Sequence, residues 1–182
     1  MKGGMMFFHS VNKSNMIIFS LILGMVILFL SFKNSQLGII DYADKHCQKN
    51  TICLIDMNKI IPFDWDKMYI IDKGITPEDI EKIIGTRLND ETSLFYKIIF
   101  VRDQEVIYSD EYHPADDSYM KKFLKLNFHY PYEREGNYFS HYAVSKDNSI
   151  LSVKIENEPL VSDKIYYSIS PSNAQQIRGR DR

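Results

Sequence analysis

The sequence predicts an α+β fold, with an N-terminal transmembrane helix followed by one domain built on a mainly antiparallel sheet with one or two helices. Three observations carry this. Seventeen consecutive residues, Met16 to Phe32, bear no charge. At about 1.5 Å per residue that run makes about 25 Å of helix, enough to cross a bilayer core. Beyond it, segments rich in β-branched and aromatic residues outnumber helical patterns. These segments also follow one another too closely for the crossover helices that a parallel sheet requires.

The apolar run is longer than the h-region of a signal peptide, which spans about 7–15 residues. Phe32 and Lys33 stand where a signal peptidase wants small residues, and no lipobox cysteine lies nearby. An uncleaved anchor is therefore expected. Lys2, Lys13 and the amino terminus precede the span, whereas only Lys33 follows it closely. The positive-inside rule then keeps residues 1–15 in the cytoplasm and sends 33–182 across the inner membrane, to the periplasm or cell exterior.

Residues 1–32 hold two of the 22 basic residues and none of the 24 acidic ones, so the remainder carries a net charge of about −4. That is no electrostatic footprint for nucleic acid. Its roughly 150 residues are the size of one ordinary domain. Cys47 and Cys53 both fall in this part. In an oxidising compartment such a pair reads as one disulfide. Free thiols are an alternative, as is a metal site. His46 extends the pair to a trio, but no fourth ligand suggests itself, and the spacing is not the C-x-x-C of a redox enzyme.

Along the chain, 33–50 reads as a juxtamembrane helix, with Ile39, Ala43 and Cys47 recurring at i, i+4. The domain proper is expected at 51–170. Thr51–Met57 and Lys67–Asp72 read as strands. Thr76 as N-cap, Pro77 at N1, acids in the first turn and Gly85 as a stop define a helix with Ile80, Ile83 and Ile84 on one face. Phe95–Val101 and Glu105–Ser109 form a hairpin around Arg102-Asp103-Gln104. Residues 116–126 are expected as a short helix. Asn137–Val144 and Ser149–Ile155 form a second expected hairpin, and Lys164–Ser170 a last strand. Residues 171–182 read as a disordered tail.

Phe63-Asp64-Trp65-Asp66-Lys67-Met68-Tyr69 is the most distinctive phrase. Two carboxylates at this spacing can act as acid and base. The stronger reading is structural: Trp65 and Tyr69 pack, and the acids cap the loop or accept from backbone amides. On a strand, Trp65 and Tyr69 share a face.

With the preceding Cys47 and Cys53, and with Ile75–Gly85 and Lys97–Val101 after it, this phrase resembles a set of small uncharacterised bacterial proteins. Those are membrane-anchored or lipidated and share a Cys pair followed by F-x-W-D-x-x-Y. The likeness spans roughly residues 45–110. It implies an envelope location and no particular activity.

His113 stands before Asp116 and Asp117, so an imidazole and two acids share a loop. Among 12 tyrosines, Tyr130, Tyr132 and Tyr142 lie in dense aromatic stretches and are candidates for a binding face. No G-x-S-x-G, H-E-x-x-H, P-loop or G-x-G-x-x-G is present. The expected function is a membrane-anchored interaction or binding module of the bacterial cell envelope, an accessory or immunity-like protein with a protein partner or a second copy of itself, and no cofactor. An envelope hydrolase using His113 with Asp116 or Asp117, and a self-associating structural membrane protein, are the rivals.

Overall fold

A computed structural model describes residues 38–88, 95–112, 121–130, 137–157 and 164–177. They form an α+β fold with two helices and mainly antiparallel sheets. The predicted span 16–32 lies outside them, and no helix among the described residues is long and apolar enough to cross a membrane.

Helix α1 (Ile39–His46) precedes strand β1 (Ile52–Asp56) and a 3₁₀ turn at Met57–Lys59. Strand β2 (Lys67–Ile71) leads to helix α2 (Pro77–Ile84). Strands β3 (Tyr96–Arg102) and β4 (Glu105–Tyr112) form the predicted hairpin. Asp103 and Gln104 both take positive φ, the twist-matched geometry of a two-residue hairpin turn. Then come β5 (Lys122–Leu126), the short β6 (His129–Tyr130) and β7 (Asn137–Tyr138), β8 (His141–Ser145), β9 (Ile150–Asn157) and β10 (Ile165–Pro171).

Two four-stranded sheets result, not one. The first runs β1-β9-β10-β5 and the second β4-β3-β2-β8, while β6 and β7 make a two-stranded ribbon. Only β10 and β5 are parallel among the paired strands. Odd-numbered residues of β1, β9 and β10, such as Ile55, Leu151, Val153 and Ile169, together with Leu124 and Leu126 of β5, face Met68, Ile70, Phe100 and Val144 of the second sheet. Ile39 and Ala43 of α1 complete this core. The other face of the second sheet, with Tyr69, Ile71, Ile99 and Val101, is covered by Ile80 and Ile84 of α2. Thr76 caps α2 by accepting from the Asp79 amide at 3.2 Å. Gly85 ends it at φ 75°, a conformation only glycine adopts cheaply.

Four expectations are corrected here. The strands around Ser145–Asn148 are not a hairpin: β8 pairs with β2 and β9 with β1 and β10, so the turn carries the chain from one sheet to the other. Residues 122–126 form β5 and not a helix, because parallel pairing to β10 sets Leu124 opposite Tyr167 in the core. Residues 171–177 are not a disordered tail. Gln176 is 2 % exposed, its side-chain amide donates to Ile150 O at 2.7 Å and its main-chain carbonyl accepts from the Ala143 amide at 2.8 Å. It thereby ties the crossing between the sheets. Finally, Trp65 and Tyr69 are both buried, but on opposite sides: Trp65 enters the chain's main core ahead of β2, and Tyr69 faces α2.

Candidate functional site

Cys47 follows α1, and Cys53 lies on β1; the two are joined, with Cα atoms 5.6 Å apart. The bond fixes the end of α1 to the strand. A second brace comes from Asp44 on α1, which accepts from Tyr167 of β10 and Lys122 of β5. Partial burial pushes the Asp44 carboxyl up, but those two donors outweigh it and hold the group below the usual carboxylate range. A depressed folded pKa stabilises the fold above the unfolded value and loses that contribution as pH falls through the folded one. Asp44→Asn should therefore lower the urea midpoint at pH 7, and the gap from wild type should close as pH falls below about 4. A gap that does not narrow at all as pH falls below about 4 contradicts the ion pair's role.

Because Cys53 and Ile55 point inward, Ile52 and Leu54 point out. They are 59 % and 65 % exposed, neighbours on the outer face of an edge strand. The Met57 amide donates to Ser149 O, and the register places residue 57 opposite 149. Odd positions of β1 thus bond β9, and the N–H and C=O groups of Ile52 and Leu54 face away from the sheet. No strand among the described residues pairs with that side. An edge with exposed apolar side chains and outward backbone groups is a template for another strand.

A cleft of about 590 Å³ lies elsewhere, between the residues after α2 and the outer face of β4, lined by Arg87, Leu88, Glu105, Val106, Ser109 and Glu111. Glu111 also accepts from the buried Lys97. The cleft offers mixed charge, but its described lining holds neither histidine nor cysteine. No group of three or more His, Cys, Asp or Glu that could hold a metal occurs among the described residues.

The aromatic candidates separate. Tyr142 is wholly buried, packed on Phe128 and Phe139 at 5.8 Å each, and offers no surface to a partner. Strand alternation in His141–Ser145 turns Tyr142 and Val144 inward. Tyr130 is half-buried on the ribbon. Tyr132 lies outside the described residues, as do His113, Asp116 and Asp117. Tyr138 is the exposed ring at 59 %; its hydroxyl donates to Asp72, which pushes its pKa up to about 12. Asp64 pairs with Lys146, while Asp66 accepts from the Asp103 amide at 2.8 Å. These two acids brace turns instead of converging on a cleft.

Ile52 and Leu54 escaped the sequence reading because Thr51–Met57 is a continuous apolar run, which looks buried on both faces. The half-cystine at 53 was the one available signal, since it sends its neighbours to the opposite side. The cleft residues carried no signal at all. Compared with known proteins, the chain matches no family model, no curated protein and no solved structure.

Proposed function

We propose that the chain is a membrane-tethered interaction module of the bacterial cell envelope. Residues 16–32 anchor it in the inner membrane with the N-terminus inside, and the two-sheet domain stands outside the cytoplasm, where β1 docks a protein partner by strand addition. The observation that carries this reading is the pair Ile52 and Leu54, exposed side by side on an edge whose backbone groups point outward. Main-chain hydrogen bonds supply affinity in such docking, and alternate side chains supply specificity. The disulfide supports an oxidising compartment. The likeness in pattern to anchored or lipidated envelope proteins points to the same place.

A photo-crosslinking side chain tests the docking. Placed at Leu54 in the full chain in living cells, it should yield a discrete adduct. The same group at Lys125, exposed on the far edge of the same sheet, should not. Equal labelling from both positions, or none from Leu54, contradicts the reading.

A further inference from the structure

We propose that the occupant of this edge is a second copy of the chain, with two β1 strands pairing antiparallel about a two-fold axis at Cys53. The inference rests on the reading of β1 as the docking edge and names its partner.

The outward backbone groups belong to Ile52 and Leu54. A two-fold axis at Cys53 sets Ile52 opposite the partner's Leu54 and Leu54 opposite the partner's Ile52. Each such pair exchanges two N–H···O bonds, which satisfies all four exposed groups of each strand's central stretch. It also brings four apolar side chains together on the outer face, two from each copy. The contact is isologous, the usual form of a closed dimer.

Neighbouring registers fit less well. Moving the axis to Leu54 sets Ile52 against the partner's Asp56, an apolar group on a carboxylate. Moving it to Ile52 sets Leu54 against the partner's Asn50. The axis at Cys53 instead sets Asn50, just before the strand, opposite the partner's Asp56 at its end, so a side-chain amide donor meets a carboxylate twice. Between them, 51–55 carries no charge of the kind that blocks edge pairing. The bond from Cys53 to Cys47 fixes which face points out, so the strand cannot slip by one residue. Two domains tethered to one membrane meet at a raised effective concentration, which lets a short interface suffice.

The test uses the full chain, with two differently tagged versions, Ile52→Cys and Leu54→Cys, expressed together and oxidised in the membrane. Directly opposed positions hold Cβ atoms about 4.5–5.5 Å apart, and same-position pairs fall on the diagonal at about 7–8 Å. Cross-links between the two versions should therefore exceed those within either version several-fold. Peptide mapping follows the Cys47–Cys53 pair alongside. A second, cysteine-free arm counts photobleaching steps of labelled full chain in vesicles. Wild type should bleach in two steps and the Ile52→Lys, Leu54→Lys variant in one, with the melting temperature unchanged because both positions are exposed. Cross-linking without register preference, or a two-step fraction unaffected by the lysines, overturns the proposal. One-step wild type at every surface density also overturns it. If the Leu54 photo-adduct then contains a different protein, the docking edge stands and only the second copy falls; with no adduct, both fall.

Discussion

Trp65→Ala is expected to cost about 3–5 kcal/mol, the range for emptying a large aromatic site in a packed core. Trp65 is 1 % exposed and meets Phe100 edge-on with centroids 5.7 Å apart. It holds that place although it precedes β2. The reason lies in its neighbours: the Asp66 amide donates to Val101 O, and the Asp66 carboxylate accepts from the Asp103 amide. The segment is thus clamped along β3 and its turn, and the indole is forced under the second sheet. Phe100 in turn packs on Phe63 and Tyr108. Removing the indole therefore opens a void among rings that are already fixed and collapse poorly. Chemical denaturation of the variant checks this. An unchanged midpoint would mean that the phrase around Trp65 serves something other than packing.

Breaking the disulfide should rank next. Cys47→Ser with Cys53→Ser removes a cross-link across a short loop, which the chain-entropy model values at about 2–2.5 kcal/mol. The loss should concentrate at α1 and β1, because the bond is the covalent tie between them beyond the loop itself. Amide exchange resolved by residue would then accelerate in α1 and β1 before it does in β3. A uniform acceleration would show that the bond acts only on the unfolded chain. Comparing oxidised and reduced wild type supplies the control.

The features legible in the sequence were local ones. Thr76, Pro77 and Gly85 mark the ends of α2 by their own side-chain and backbone chemistry. The turn at Asp103 and Gln104 joins two neighbouring strands, so pattern and pairing coincide. Cys47 and Cys53 are close enough in sequence that little else could separate them. Features set by distant partners were not legible. Two strands on either side of Ser145–Asn148 look alike whether they pair or part. What parts them is β2 on one side and β1 with β10 on the other. Lys122–Leu126 does not alternate as a half-buried strand would and reads more like a helix, and pairing with β10 overrides that pattern. Tyr142 shows the same limit for the site. Density of aromatic residues drew attention to it, yet the alternation of β8 puts that ring inside. For β1, an apolar run concealed an edge, because the hydropathy of a strand does not say how many neighbours it has.

Residue-resolved hydrogen exchange at β1 shows whether that edge takes up a second copy of the chain. The full chain would be held once at a single copy per nanodisc and once at many copies per vesicle. The Cys53 and Ile55 amides, bonded to β9, should be protected in both. Ile52 and Leu54 amides should exchange fast in the single-copy discs and become protected in the crowded vesicles. Equal protection of Ile52 and Leu54 in both states would mean that the edge is already closed within one chain. Equal fast exchange in both would mean that no second copy docks there, and either result would rule out β1 as the seam of a dimer.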